Sequence, residues 1–269
     1  MLGWNPQAEI KFAAPAKPPR RMTMRNKVLF FPLFLMLAGA EAWAGAPPTA
    51  SQITAGIDSR MSHAQVYKHG DVQVAYADGV ATLTGCVDNL GSKLDAEKAA
   101  RKTRGVTSVV DNVVVRADDV TEAQILAQAR HEILMYYAYG IFDNVNLEAQ
   151  GGKLTVTGQV TQPFKKSDMG NILSRVKGVA EVANNLEVLP FSAFDDQLRQ
   201  QVARAIYGNP YFLRYADQPL PPIHIIVKNG DVSLEGVVAN AMDRTMAEMA
   251  ARRAGLSFAV VDDLRVVAS

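Results

Sequence analysis

The side chains best suited to catalysis or metal binding are few and widely spaced in this sequence. Four histidines, His63, His69, His131 and His224, and one cysteine, Cys86, are the groups suited to binding a transition metal or acting as base and nucleophile. Their spacing matches no metal-binding motif, and no Ser-His-Asp order, phosphate-binding glycine loop or CxxC pair accompanies them. The sequence therefore predicts no catalytic residue, no metal site and no cofactor. A single cysteine also excludes an internal disulfide framework.

Charged residues are nearly balanced, with 28 Lys and Arg against 27 Asp and Glu and a formal net charge of +1. No domain has a broad excess of positive charge, which argues against nucleic acid as a partner. Basic residues nevertheless gather at the ends of predicted helices, in three groups: Lys98, Arg101, Lys102 and Arg104; Arg175 and Lys177; Arg252 and Arg253. They suit contacts to lipid phosphates, or the usual stabilisation of helix C-termini by cations. Their recurrence at helix ends favours the second interpretation.

Two segments are rich in aromatic residues and are candidates for contact with a lipid or a partner. The first contains Tyr136, Tyr137, Tyr139 and Phe142, and the second contains Tyr207, Tyr211 and Phe212. Both are predicted to lie late in a helix, and a helix buries only one stripe, so some rings face outward or reach a neighbouring domain. Amphipathic aromatic side chains suit a membrane–water boundary. Packing between tandem domains is the alternative.

One pattern of glycines and alternating apolar residues occurs three times. The copies are GVATLTGCV (79–87), GKLTVTGQV (152–160) and GDVSLEGVV (230–238). Asp-Gly or Asn-Gly at the start of a copy predicts a tight hairpin turn, and the alternation predicts a strand with one buried face. Gly85, Gly158 and Gly236 fall on the buried side. We expect them to be structural, either because a helix approaches closely there or because the strand bends.

Each copy belongs to a larger unit of helix, strand, strand, helix and strand. The second helices are predicted at 91–104, 164–177 and 241–254, each closed by a glycine suited to a left-handed cap: Gly105, Gly178 and Gly255. The predicted fold class is α+β, with three tandem small αββαβ sandwich domains, each a three-stranded sheet with two helices on one face. Domains 1, 2 and 3 are predicted at 50–117, 119–190 and 193–268. Asp118 and Asp119 belong to the first linker.

The segment 1–44 differs from the rest of the chain. A basic start, an apolar run from Val28 to Ala40 and the small-x-small sequence "AWA" are typical of a secretory signal peptide. The apolar run is short for a membrane span, although an uncleaved anchor is the alternative. No cysteine follows it, so we do not expect a lipoprotein. Residues 1–21 precede the more natural start at Met22 or Met24 and are interpreted as a misassigned extension.

The order of elements and the sequences "GVATLTGCVDN…RGVTSVVDNVVV" and "GKLTVTGQV…KGVAEVANNLEV" resemble the BON family (bacterial OsmY and nodulation). Three copies of such a domain account for nearly all of the chain after the signal segment. The resemblance implies a non-enzymatic module of bacterial envelope proteins that is associated with phospholipid binding and envelope integrity. It carries over no catalytic residue, because the family pattern consists of glycines and core positions.

Together these features predict an exported, periplasmic protein of a Gram-negative bacterium with a binding or scaffolding role. We expect it to engage phospholipid membrane surfaces or envelope proteins during envelope maintenance or the stress response. The alternative is a periplasmic protein–protein adaptor or chaperone-like factor that does not bind lipid. The sequence leaves the oligomeric state open.

Overall fold

The computed structural model of this chain describes residues 48–117, 120–255 and 257–267. The predicted signal segment at 1–44 and the linker residues Asp118 and Asp119 lie outside these ranges. Across the ranges that are described, helices are too short or too polar to cross a membrane.

The elements follow the same order in all three domains. Domain 1 contains α1 (Ala50–His63), β1 (Gly70–Ala77), β2 (Val80–Val87), α2 (Leu90–Arg101) and β3 (Ser108–Val115). Domain 2 contains α3 (Glu122–Met135), β4 (Asn144–Gln150), β5 (Lys153–Val160), α4 (Pro163–Ser174), β6 (Glu181–Asn184) and β7 (Glu187–Val188). Domain 3 contains α5 (Ala193–Tyr207), α6 (Leu213–Ala216), β8 (Ile223–Lys228), β9 (Asp231–Val238), α7 (Ala241–Arg253), β10 (Ala259–Asp262) and β11 (Arg265–Val266). This order confirms the predicted αββαβ unit.

The second strand of each unit is the centre of its sheet. It pairs antiparallel with the first strand and parallel with the third. In domains 2 and 3 the third strand is interrupted, so that β6 and β7 pair in succession with β5, and β10 and β11 with β9. Parallel pairing requires a crossover connection, which α2, α4 and α7 supply.

Each domain has a separate hydrophobic core between its sheet and its helices. In domain 1, for example, Ile57 of α1, Leu83 of β2 and Ala96 of α2 are fully buried together. Because every sheet buries one face in this way, the structure confirms the predicted α+β sandwich fold.

The hairpin turns show why each copy begins with Gly after a small or polar residue. The central residues have φ of 48° and 85° at Asp78 and Gly79, and of 54° and 85° at Asn229 and Gly230. The turn of domain 2 uses Gly151 at 56° and Gly152 at 77°. Positive φ at both central positions is the mark of a type I′ turn, which matches the twist of paired strands. The hairpin predictions are confirmed.

The glycines inside the second strands occupy equivalent places. Gly85, Gly158 and Gly236 have φ of 122°, 117° and 112°. A Cβ added at Gly158 would lie 2.1 Å from the carbonyl oxygen of Asn144 on the neighbouring strand. The close approach at Gly85 and Gly236 also comes from backbone on the first-strand side of the hairpin and not from a helix. These positions therefore need glycine because of the strand pairing itself.

The predicted left-handed helix caps are only partly correct. Gly105 and Gly178 have φ of 98° and 84°, but they follow the helices rather than cap them, since α2 ends at Arg101 and α4 at Ser174. For Gly255 the prediction is wrong, because its φ is not in the left-handed region. A Cβ there would lie 2.5 Å from Oε1 of Gln201. Gly255 instead lets the turn after α7 approach α5.

Domains 1 and 2 are joined by backbone hydrogen bonds between two turns. The amide of Leu90 donates to the carbonyl of Val179 at 2.8 Å, and the amide of Gly178 donates to the carbonyl of Asp88 at 2.7 Å. An ion pair between Arg175 and Asp95 at 2.9 Å lies beside them. The start of α2 is thereby fixed against the end of α4.

Candidate binding surface at the end of helix α3

Helix α3 begins at a capping box. The hydroxyl of Thr121 accepts from the amide of Gln124, and the Gln124 side chain accepts from the amide of Thr121. The stripe Ile125, Ala129 and Ile133 is buried. Helical structure stops at Met135, so the aromatic segment that follows is not part of the helix as predicted. The rings after residue 135 are positioned by the loop into β4.

Three exposed apolar side chains lie within four residues at the end of α3 and just after it, with the buried ring of Tyr136 between the second and the third. Leu134 is 59 % exposed, Met135 is 70 % exposed and Tyr137 is 87 % exposed. We call these three residues the α3 apolar cluster. Tyr137 was predicted as a contact residue, whereas Leu134 and Met135 were not. The signal for them was present, because they fall outside the buried stripe that the helical period defines.

Tyr136 has a structural role, unlike its neighbour Tyr137. It is only 9 % exposed, and its hydroxyl donates to Oδ2 of Asp168 on α4 at 2.6 Å. Burial and this hydrogen bond raise the pKa of Tyr136. The predicted contact with a lipid or partner is therefore wrong for Tyr136, because its ring joins α3 to α4.

Tyr139 and Phe142 lie at the junction of domains 2 and 3. The ring of Tyr139 is 5.6 Å from the ring of His224, and Phe142 packs against the core of domain 3 together with Ile141. The amide of Ile225 donates to the carbonyl of Ile141 at 2.7 Å. For these two aromatic residues, the structure favours the alternative of packing between tandem domains.

Strand β8 receives this loop and is buried on both faces. Ile223, Ile225 and Val227 face the core of domain 3, while His224 and Ile226 are buried on the opposite face. Burial lowers the pKa of His224. The sequence IHIIV is apolar throughout, which is typical of a strand covered on both sides, and this signal could have revealed the junction.

The aromatic residues of domain 3 serve the domain itself. Phe212 is fully buried, so its predicted role in binding is wrong. The hydroxyl of Tyr207 bonds to the carbonyl of Ile223, and that of Tyr211 donates to Asp243 at 2.8 Å. All three side chains therefore fix the segment between α5 and β8.

Asp243, near the start of α7, is the centre of that arrangement. Its buried carboxylate accepts from the hydroxyls of Tyr215 at 2.6 Å and Tyr211 at 2.8 Å and from the guanidinium of Arg214. Burial alone would raise the pKa of Asp243, but these hydrogen bonds and the Arg214 charge outweigh it and lower the pKa. The Asp243 side chain itself is fully buried, and its partners on and beside α6 hold that segment against α7, so we interpret these contacts as structural.

Other chemically capable groups do not converge. Over residues 48–117, 120–255 and 257–267, no three His, Cys, Asp or Glu side chains lie together as a metal site would require. The Cys86 thiol is free and partly exposed on the outer face of the domain 1 sheet.

Repeated small α+β sandwiches, each with its own core, define this chain as a tandem-domain protein. The family model for the BON domain matches residues 49–117, 121–190 and 194–268. The chain therefore belongs to the BON domain family.

Two curated proteins resemble parts of the chain. It is 27 % identical over 127 residues to an uncharacterized protein in the gshII 5′ region of Anaplasma centrale, covering 44 % of this chain and 83 % of that protein. It is 26 % identical over 148 residues to osmotically-inducible protein Y of Escherichia coli (strain K12), covering 51 % of this chain and 71 % of that protein.

Solved structures of CdsD, a structural protein of the type III secretion system of Chlamydia trachomatis, also match. The C-terminal domain gives a TM-score of 0.23 at 14 % identity, covering 78 % of this chain and 96 % of that one. A second CdsD structure gives a TM-score of 0.22 at 16 % identity, covering 79 % of this chain and 93 % of that one. Likeness at these TM-scores supports no structural or functional argument.

Proposed function

We propose that this chain is an exported, non-catalytic protein of the bacterial envelope that binds phospholipid surfaces during osmotic or envelope stress. The α3 apolar cluster is the observation that carries the proposal. The similarity to an osmotically-inducible protein supports the stress context. The signal-like segment 1–44 supports export to the periplasm.

The cluster has the chemistry of a shallow membrane contact. Full burial of one Leu or Met side chain contributes about 1.5–3 kcal/mol. A Tyr ring adds an apolar body with a polar tip suited to the headgroup region. Arg130 is exposed one helical turn before Leu134, on the same side of α3. A cation near an anionic leaflet contributes about 1 kcal/mol more.

Co-sedimentation with vesicles tests this function. The chain without residues 1–44 is mixed with phosphatidylglycerol-containing vesicles and, separately, with pure phosphatidylcholine vesicles. We expect preferential binding to the anionic vesicles. The triple variant Leu134→Ser, Met135→Ser, Tyr137→Ser should weaken it by about ten-fold or more, since about 1.4 kcal/mol corresponds to that factor.

A matched control separates the cluster from exposed apolar residues in general. Leu213, Met242 and Phe191 are 54 %, 62 % and 90 % exposed, close to the values of the cluster, but they are not adjacent in sequence. Their joint replacement by serine should leave vesicle binding intact. Equal loss in both triple variants, or no binding of the parent chain to anionic vesicles, contradicts the proposal.

A protein–protein adaptor is the second candidate, and the outer face of the domain 1 sheet favours it. Two rows across the three strands contain no charge: Ala75, Thr82 and Val110; and Gln73, Thr84 and Asn112. Asp71, near the start of β1, is the charged residue on this face of the three strands. Depletion of charge is typical of the centre of protein interfaces. A parent chain that binds no vesicles favours this candidate.

A further inference from the structure

The groove between α1 and α2 of domain 1 is lined by basic side chains. It has a volume of about 620 Å³, with Arg60 and His63 from α1 and Lys98 and Lys102 from the end of α2 among its walls. Small residues, including Gly56, form part of the lining. Cavities of this size accommodate small ligands.

The positive charge of the groove is not neutralised within the described part of domain 1. Asp95 is the carboxylate among the lining residues, and its Oδ2 already accepts from Arg175 of domain 2 at 2.9 Å. Arg60, Lys98 and Lys102 make no ion pair within the described residues. Nδ1 of His63 donates to the carbonyl of Ser59 at 2.6 Å, which leaves Nε2 available.

If stabilisation of helix C-termini were the whole reason for these cations, the other two domains should carry cations at the same positions. The capping residues of the paired helices set the alignment, namely Thr49, Thr121 and Ser192 for the first helix and Asn89, Gln162 and Asn240 for the second. Arg60 then corresponds to Glu132 and Ala203, and Lys98 corresponds to Asn171 and Met249.

The fold therefore does not require a cation at the positions of Arg60 and Lys98. Lys102 behaves differently, because it corresponds to Arg175 and Arg253, which are also basic. Stabilisation of the helix C-terminus accounts for Lys102, as the sequence suggested. Arg60 and Lys98 also lie in the last turns of α1 and α2, where cations complement the helix dipole, but the other two domains carry no cation at these two positions, which face one groove in domain 1.

We propose that the α1–α2 groove of domain 1 binds a phosphate group. Arginine and lysine offer only hydrogen-bond donors, and a guanidinium can hold two oxygens of one phosphate. The pairing of Asp95 with Arg175 offsets the negative charge of the carboxylate that lines the groove. The phosphate belongs either to a small soluble ligand or to a lipid headgroup. The proposal is independent of the α3 apolar cluster, which lies in domain 2.

Isothermal titration of the chain without residues 1–44 with inorganic pyrophosphate tests the soluble source, and phosphatidylglycerol vesicles test the lipid source. The variant Arg60→Glu, Lys98→Asn introduces the residues that domain 2 carries at these positions. We expect it to raise Kd by about ten-fold or more, because a hydrogen bond to a charged group contributes at least that much. Both side chains are exposed, so folding should be unchanged.

The variant Arg101→Glu is the matched control. Arg101 belongs to α2 but pairs with Glu97 at 2.6 Å and is not part of the groove lining. Arg101→Glu changes the net charge by the same amount as Arg60→Glu. The single variant Arg60→Glu is therefore measured beside it. We expect the control to change Kd by less than about three-fold, since exposed charges away from the ligand are screened.

Each outcome decides the proposal. If the groove variants lose pyrophosphate binding and the control Arg101→Glu does not, the ligand is a soluble phosphate compound. If the groove variants lose only vesicle binding, the ligand is a lipid headgroup. Binding to neither probe overturns the proposal. Equal weakening by Arg101→Glu also overturns it, because that result indicates general attraction to a basic surface. The α3 cluster variant should leave pyrophosphate binding unchanged, so failure of one proposal is distinguishable from failure of the other.

Discussion

Gly158 lies at a φ of 117° in the central strand of domain 2, and its replacement by alanine tests the role assigned to the repeated glycines. A Cβ at this position would lie 2.1 Å from the carbonyl oxygen of Asn144 and 2.9 Å from its carbonyl carbon. Both atoms belong to the backbone of β4, so no side-chain rotation can relieve the contact. The two strands must separate, or the strand must change conformation.

The expected cost follows from these two effects. A side chain held in such a backbone conformation costs about 1–3 kcal/mol. Loss or stretching of a ladder hydrogen bond adds about 1 kcal/mol. We therefore expect Gly158→Ala to lower the free energy of unfolding of domain 2 by about 2–4 kcal/mol. For a domain of this size, the melting temperature should fall by roughly 10 °C or more.

Gly140→Ala is the control in the same domain. No heavy atom lies within 4 Å of a Cβ added at Gly140, and its φ is not in the left-handed region. Calorimetry of the chain without residues 1–44 measures both variants, and hydrogen exchange of β4 and β5 identifies the domain that unfolds. Similar melting of Gly158→Ala and Gly140→Ala would refute the argument from strand pairing.

Two further predictions concern buried titratable groups. Asp243→Asn should destabilise domain 3 by about 3 kcal/mol at neutral pH, because two hydroxyls and Arg214 lose their charged acceptor. Since the pKa of Asp243 is lowered in the folded state, its contribution is present above the ordinary Asp pKa of about 3.9 and disappears in stronger acid. Urea unfolding across this range should show weaker acid dependence in the variant, and an unchanged dependence contradicts the assignment. The pKa of His224 is lowered by burial, so the neutral form stabilises the fold above about pH 6.5 and this stability is lost as pH falls. The protection of the β8 amides, measured as the exchange rate relative to the intrinsic rate at the same pH, should therefore fall in mild acid in the parent, and fall less in His224→Gln.

The strands and turns of this protein could be predicted because their causes are local. The sequence Asp78-Gly79 specifies a type I′ turn within two residues, and the alternation after it specifies which side of β2 is buried. The reason for Gly85 was less accessible. Its close contact is with the backbone of Asp71, and pairing of β1 with β2 had to be known first.

Exposure in the aromatic segment could not be predicted in the same way. Tyr136 and Tyr137 are identical neighbours, yet one is buried and the other is almost fully exposed. The difference comes from Asp168 on α4, which accepts a hydrogen bond from the Tyr136 hydroxyl. Tyr139 and Phe142 are likewise placed by domain 3. Residue type alone contains no information about such partners.

The amino-acid sequence by itself determined the three αββαβ units and their membership of one family. The hydrophobic period, the turn residues and the helix caps each act over a few residues. The same pattern of these signals occurs three times along the chain. Only the tertiary structure decided that β8 is covered on both faces, that the α3 apolar cluster remains exposed, and that Arg60 and Lys98 share a groove. Those arrangements depend on contacts between distant segments, and such contacts form only when helices and sheets pack together.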